Sequence, residues 1–284
     1  YHLKYMLPSF LSCDYGNNIT TLFVDCASTD ESRAYAREIA GDRMVYLNLD
    51  DNLGWSGGNN AGIRYAAEHG ADYIVLLNND MRFSKHWLTD SMKVFEKQPD
   101  AGVVGCRIHH DLDEFQRASK RYSSMSYAEV ESVPGCCMII PTSVLEEIGL
   151  IDEEYIFYGE EDDFERRAIS AGYRLYETTV PLWHFHDGSL RHFPEKKAYL
   201  AMRNALLFSR KYDPPRLTFI KAAHIFLCAT IKGYRKHTMP NRRYYAKNAL
   251  FNFRVYLRAV AWNVKHAVKH GWRAESKPPK LTTK

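Results

Sequence analysis

Four consecutive carboxylates, Glu160, Glu161, Asp162 and Asp163, stand between aromatic residues in FYGEEDDFERR. Acids this close repel one another and resist ionising unless a cation or a helix N-terminus lies near. Flanked by Phe157, Tyr158 and Phe164, they suit a cleft in which one carboxylate deprotonates a hydroxyl nucleophile. A further carboxylate, Asp80, closes the apolar run ADYIVLLNND after two amides, Asn78 and Asn79. Oxygen atoms at a strand end can hold a hard cation against a diphosphate, because phosphate and water complete the coordination shell. Asp80 is the strongest ligand candidate, Asn78 a neutral and weaker one, and His184 or His186 in LWHFH a third. Taken singly, each stretch also fits a plain role as a turn or a helix end.

Two earlier stretches bear on ligand binding. Asp25 ends the β-branched run TTLFVD and precedes the polar turn CASTDES. An acid at the carboxyl edge of an α/β sheet can hydrogen-bond a base or a ribose. In NLGWSGGNNAG (52–62), Gly54, Gly57 and Gly58 allow a tight turn and close approach to a ligand, and the start of the following helix favours anions. The spacing is not that of the dinucleotide-binding fingerprint.

The elements that must position these groups alternate. Helical periodicity covers the first residues, with Leu3, Met6, Leu7 and Phe10 on one face, then 28–40, the stretch after Gly58, HWLTDSMKVFEKQ, 160–172 and 194–212. Strands are expected at 20–25, 44–49, 72–78, AGVVGC, 135–140 and YRLYET. The unbroken apolar run at 72–78 has the composition of a strand covered on both faces of a parallel sheet. The fold class is α/β, with a mainly parallel central sheet flanked by helices. Residues 107–133 read as an irregular polar loop.

Charge divides the chain. From Pro214 onwards there are 16 Lys/Arg and one acid, Glu275, whereas the rest has 22 Lys/Arg and 33 Asp/Glu. A boundary is therefore expected near residue 213, between a catalytic region (1–213) and a basic helical C-terminal region (214–284) broken near Gly233 and Pro240. Basic surface implies phosphate-rich partners. In NALFNFRVYLRAVAWNVKHAVKHG, helical spacing puts Leu250, Phe253, Leu257, Val260, Val264 and Val268 near one face, either packed in a core or docked on an anionic membrane. No nucleic-acid motif accompanies the charge, so no nucleic-acid partner is expected. The six cysteines show neither zinc-site nor disulfide-framework spacing, which suits reduced thiols in a cytoplasmic protein, and the basic amphipathic end adds the expectation of a peripheral place on the inner face of the cell membrane. The longest apolar stretch, 217–231, contains Lys221 and His224 and is short for a bilayer span.

In their order, these stretches resemble the family 2 glycosyltransferases, which have the GT-A fold. VDCASTDES is similar to that family's V-D-N-A-S-T-D-x-S, and NLGWSGGNNAGI to its N-x-G-x-x-G-x-N-x-G-I. YIVLLNNDMRF resembles the strand ending in the D-x-D metal motif, in the N-N-D form of the rhamnosyltransferase-like branch. The segment from VPGCCMII to AISAGYRLYE resembles the acceptor-side segment with its E-D-x-D acids, and AMRNALLF the later R-N element. The resemblance covers about residues 1–212.

The resemblance implies an inverting, metal-dependent glycosyltransferase. It would move a sugar from a nucleotide-diphosphate donor, dTDP-rhamnose or a UDP-sugar, to a glycan or lipid-linked acceptor in cell-surface polysaccharide synthesis. Glu161 would be the catalytic base, supported by Glu160 and Asp163. Asp25 would bind the donor nucleoside, with Ser28, Asp30, Asn52, Gly57, Gly58, Asn59 and Asn79 around the donor. Asp80 and Asn78, with His184 or His186, would hold Mg²⁺ or Mn²⁺. Cys26 stands where the family has Asn or Asp, and Glu161 where it has Asp. The family's opening strand and its P-x-Y-N or T-Y-N loop have no counterpart here; YHLKYMLPSFLSCDYGN matches the helix that follows them. The expectation is a sequence that begins after that strand. The competing reading is a catalytically inactive GT-A module that binds glycan or acts as a scaffold. A nucleotidyltransferase is disfavoured by the lack of an early glycine-rich, basic activation loop.

Overall fold

The computed structural model describes residues 2–15, 18–185, 193–231, 249–273 and 278–281. His186 and the breaks expected at Gly233 and Pro240 lie outside these residues. In chain order come α1 (Leu3–Leu11), β1 (Leu22–Cys26), α2 (Ser32–Ala40), β2 (Val45–Leu49), α3 (Gly54–Glu68), β3 (Tyr73–Leu77), β4 (Met81–Phe83) and α4 (Trp87–Lys97). There follow β5 (Ala101–His109), α5 (Leu112–Arg121), β6 (Tyr127–Val130), β7 (Cys137–Pro141), α6 (Thr142–Ile148), α7 (Glu160–Ser170) and β8 (Arg174–His184). The last helices are α8 (Pro194–Tyr212), α9 (Pro215–Thr230) and α10 (Ala249–His270).

The chain forms two compact units. The first takes in Tyr1–Ile156, Glu161–His186 and Pro278–Lys284. Its larger sheet runs in the order β3-β7-β5-β8-β4, with β6 also on β8, and β1 and β2 form a separate parallel pair. Here the expected mainly parallel sheet needs correcting. In the larger sheet β5 and β8 are parallel, but β3 with β7, β5 with β7, β4 with β8 and β6 with β8 are antiparallel. The apolar run of β3 reports burial on both faces, and burial does not depend on strand direction. Ile74 and Leu76 are buried with Ile63 of α3 on one side of it, while Val75 and Leu77 pack against the cluster that holds Leu7, Phe10 and Trp87. The α1 face made by Leu3, Met6, Leu7 and Phe10 is buried as its spacing predicts, although Pro8 lies within the helix.

A second correction concerns residues 107–133. They are not irregular, because β5 continues to His109 and α5 and β6 follow. Asp111 caps α5, its side chain accepting the Glu114 N–H at 2.8 Å, and the first and last turns carry acids and bases in the order the helix dipole favours. Phe115 is the one buried residue of α5, so its composition looks like that of a loop.

The second unit comprises Phe157–Glu160 and Asp187–Lys277. The charge break after residue 213 is not where it starts, for α8 belongs with the basic helices. Ala198, Met202 and Leu206 of α8 share a core with Ile225 and Ala229 of α9 and Val255 and Ala259 of α10. Among the described residues, no helix is long and apolar enough to cross a membrane.

Candidate active site

The site is built where β3, β4, β7 and β8 end. β3 finishes at Leu77, and the Asn78 N–H continues its ladder to the Cys136 carbonyl at 3.0 Å. The chain then turns into β4, whose partner β8 aligns Met81 with His184. That register brings His184 Nε2 to 3.0 Å from Asp80 Oδ1, with Asp80 buried. Asn78 lies between this pair and α3. Its Oδ1 accepts the Trp55 indole N–H at 2.9 Å, and its Nδ2 is 3.3 Å from His184 Nε2. A protonated Nε2 donates to Asp80. A bare Nε2 accepts from Asn78, and beside a carboxylate it is a nitrogen donor suited to a divalent ion. Asn79 is exposed. The indole N–H is thus a stay for the Asn78 amide, and Trp55→Phe is expected to cost about 1 kcal/mol in urea unfolding.

The acid cluster starts α7. Glu161 stands against the segment before β7, where a Cβ on Gly135 would lie 3.2 Å from the Glu161 Cβ. The Cys136 thiol links this acid to Asp80. Burial, then the Asp80 charge and more weakly that of Glu161, push the thiol well above its ordinary range. The charges of Asp80 and Glu161 therefore both act on one buried residue. Glu160, the first residue of α7, is buried. Asp163 is wholly buried, and its Oδ2 accepts from Arg167 Nε at 3.0 Å. Arg167 in turn donates to the Ile148 carbonyl at 2.7 Å and the Leu150 carbonyl at 2.8 Å, so Asp163 anchors the chain that follows α6.

One turn beyond Glu161, Glu165 is buried, with its Oε1 accepting the Val133 N–H at 2.7 Å. Burial pushes its carboxyl up to about 8, with Val133 pulling the other way. A carboxyl raised in the folded state contributes stability that is complete below its ordinary value of 4.5 and is lost as pH rises through about 8. Thermal melts across that window are expected to fall with pH. Glu165→Gln, which keeps the acceptor and cannot ionise, should abolish this pH-dependent loss, on the order of a few kcal/mol.

On the other side of α3, Asp25 is buried at the end of β1, level with Asn48 of β2. Its Oδ2 accepts the Ser28 N–H at 3.1 Å and pairs with Arg33 Nε. Burial raises this carboxyl, but the Ser28 and Arg33 hydrogen bonds outweigh it and hold the group below its ordinary value. Ser28 and Asp30 are exposed, and Asp30 Oδ1 accepts the Ser32 N–H at 3.0 Å, as a turn-closing acid does.

The glycine-rich stretch differs from expectation, since α3 already begins at Gly54. Asn52 Oδ1 accepts the Gly54 N–H at 3.0 Å, and Gly54 has φ 72°. A Cβ there would lie 2.8 Å from the Ile156 carbonyl oxygen, which also accepts the Trp55 N–H at 3.1 Å. Ile156 holds φ 63°, costly for a β-branched residue, and strain of this kind gathers at functional sites. Gly57 and Gly58 lie inside the helix and are buried. A Cβ on Gly58 would meet the Cys26 sulfur at 2.6 Å, so this glycine serves the packing of α3 on β1. Asn59 Nδ2 donates to the Trp55 carbonyl at 2.8 Å, within the helix.

Sequence reasoning gave no role to three residues, one of which, Asn204, stood in the R-N element. Asn60, fully buried, donates to the Ile151 carbonyl at 2.8 Å and accepts the Ile151 N–H at 3.0 Å, tying α3 to the loop before the acids. His110 Nδ1 lies 3.4 Å from the His184 carbonyl oxygen, and the IHHD run at the end of β5 was its only signal. Within the second unit, Asn204 Nδ2 donates to the carbonyls of Phe157 and Tyr158 at 2.9 and 2.6 Å. The R-N element thus holds the backbone of the aromatic pair that precedes the acids.

The sequence profile described as glycosyl transferase family 2 matches residues 3–149, just over half of the chain. The chain belongs to glycosyl transferase family 2. A Haloferax volcanii relative of this family-2 chain, the low-salt glycan biosynthesis hexosyltransferase Agl10, is 26% identical over 162 residues, covering 51% of this chain and 52% of the relative. The O-antigen biosynthesis protein RfbC of Myxococcus xanthus is 25% identical over 266 residues, 83% of this chain but 20% of RfbC. The chain spans about half the length of the first curated relatives it matches. Among solved structures, the mannosyltransferase PcManGT from Pyrobaculum calidifontis, in complex with GDP-Man and Mn²⁺, superposes with TM-score 0.56 at 15% identity, over 91% of this chain and 70% of its own. GalNAc-T7 with UDP, GalNAc and Mn²⁺ gives TM-score 0.58 at 12% identity, over 92% of this chain and 54% of its own. The fold of this family-2 chain is of the GT-A type.

Proposed function

We propose that the protein is a metal-dependent inverting glycosyltransferase. It moves a sugar from a nucleotide-diphosphate donor to a glycan or lipid-linked acceptor in cell-surface polysaccharide synthesis. The observation that carries this reading is the Asp80–His184 pair, 3.0 Å apart where the start of β4 pairs with the end of β8. A carboxylate and an imidazole suit Mn²⁺ and accept Mg²⁺, and they leave most of the shell to phosphate and water. Asn78, with its Oδ1 on Trp55, fits a residue that positions His184 better than one that ligates. When bound, the ion supplies positive charge against the leaving diphosphate.

The remaining chemistry falls to this chain's residues. Glu161 takes the proton of the acceptor hydroxyl as its oxygen attacks the anomeric carbon. The bond from that carbon to the phosphate oxygen breaks on the opposite face, which inverts the configuration. Asp25, kept ionised by Ser28 and Arg33, accepts hydrogen bonds from the donor nucleoside. Asp163 and Asn60 hold the loop and helix that bring these groups together. The names of Agl10 and RfbC support a place in glycan assembly, and the Mn²⁺ complexes of the two solved neighbours support a metal.

The test is turnover across a panel of dTDP-, UDP- and GDP-sugars, with and without Mn²⁺ or Mg²⁺. Metal-stimulated release of a nucleoside diphosphate from one donor is expected. Absence of both turnover and nucleotide binding would leave a GT-A module that binds glycan without catalysis.

A further inference from the structure

Helix α10 is inside out. The face it buries carries Asn252, Asn263 and His266 together with Val255 and Ala259. Asn263 is fastened there, donating to the Arg203 carbonyl at 3.0 Å, while its own carbonyl accepts from Arg210 at 2.8 Å. The opposite face shows Leu250, Leu257, Val264 and Val268, of which Val268 is 84% and Leu250 58% exposed. Of the six residues expected on one apolar face, these four are therefore outside the core, whereas Val260 packs against it and Phe253 is half-buried beside Phe226. At 100° per residue these four positions fall within about 40° of one another, a single stripe along the helix. Scattered exposed leucines need no explanation, but an aligned stripe is costly in water and marks a surface with a partner.

Charge chooses the partner. Arg254, Lys265 and Lys269 are exposed along one side of the stripe, and α10 contains no acid. A second copy packed on this stripe would bring the same cations together, whereas an anionic bilayer neutralises them. Just past the helix, Trp272 stacks on Phe219 of α9 with centroids 5.5 Å apart, and Phe219 is 64% exposed. Aromatic side chains of this kind settle at the headgroup level. A helix with cations at its edge lies in the interface plane and does not span it.

We propose that the outward stripe of α10 docks on an anionic lipid surface, with Leu250, Leu257, Val264 and Val268 in the acyl boundary and Arg254, Lys265 and Lys269 on the headgroups. This rests on the proposed function only in placing the protein where a lipid-linked acceptor resides. The test is sedimentation of the full chain with phosphatidylcholine vesicles, with and without phosphatidylglycerol, at low and high salt. Binding is expected with the anionic vesicles alone and should weaken with salt. Leu257→Asp/Val264→Asp should lower it by at least about tenfold. Each of Arg254→Gln and Lys265→Gln should lower it by about fivefold. Circular dichroism melts report whether the exposed-face variants fold as the wild type does. Wild type that ignores anionic vesicles overturns the proposal, as does a Leu257→Asp/Val264→Asp chain that folds and still binds. A wild-type dimer in analytical ultracentrifugation that the same double variant splits also overturns it, in favour of a second copy. Turnover on a water-soluble acceptor should be unchanged in the double variant. Absent turnover with intact vesicle binding would remove the proposed activity and leave the docking face.

Discussion

Glu161→Gln is expected to lower kcat by about two to four orders of magnitude while leaving the donor KM close to wild type. The amide keeps the size and most of the hydrogen-bonding shape of the carboxylate but cannot take a proton at neutral pH. Glu161 sits on α7 against the Gly135 turn, whereas the donor phosphates would be held from the ends of β4 and β8. The loss should therefore fall on the chemical step. Single-turnover kinetics with saturating donor separate the two effects. An equal fall in kcat/KM with kcat unchanged would move the base elsewhere in the cluster. Asp163 is a poor substitute, being wholly buried and committed to Arg167.

Asp80→Ala is expected to cost about 100- to 1,000-fold in kcat and to raise the donor KM. The side chain is buried and pairs with His184, while its backbone carbonyl, which accepts the Phe185 N–H at 3.0 Å, survives the substitution. The fold should hold, since the neighbouring strands carry their own ladders. Circular dichroism melts of the variant beside the wild type check this. A variant that melts as the wild type does and still turns over at the wild-type rate would mean that Asp80 only closes a turn.

Much of this site was legible because strand ends and helix starts carry strong local marks. Asp25 and Asp80 both follow β-branched or aliphatic runs, and the structure puts Asp25 near the end of β1 and Asp80 in the turn between β3 and β4. The acids at 160–163 open a helix as the dipole argument requires. The failures have physical causes too. Apolar continuity in β3 reports two covered faces, and it was taken for strand direction, which only pairing decides. Helix α5 was hidden by a composition that buries one residue, although its Asp111 cap and charge order were readable. Periodicity in α10 marked an apolar face correctly but could not say that Asn252, Asn263 and His266 face inwards instead. The partners of Asn263 and His266, Arg203 and Arg210, come from a helix 53 to 60 residues earlier in the chain. Gly57 and Gly58 looked like room for a ligand, yet the space left by Gly58 is filled by Cys26 from a neighbouring strand. Such tertiary partners leave no trace in local spacing.

The central claim is that Asp80 and His184 form a seat shared by a divalent ion and a diphosphate. Its most direct measurement is Mn²⁺ binding, followed by electron paramagnetic resonance, with and without a nucleoside diphosphate. With one carboxylate and one imidazole as its charged and nitrogen ligands, the wild type should bind Mn²⁺ weakly alone and at least about tenfold more tightly with the diphosphate. In Asp80→Ala that tightening should vanish. The same tightening in Asp80→Ala as in the wild type would contradict the account.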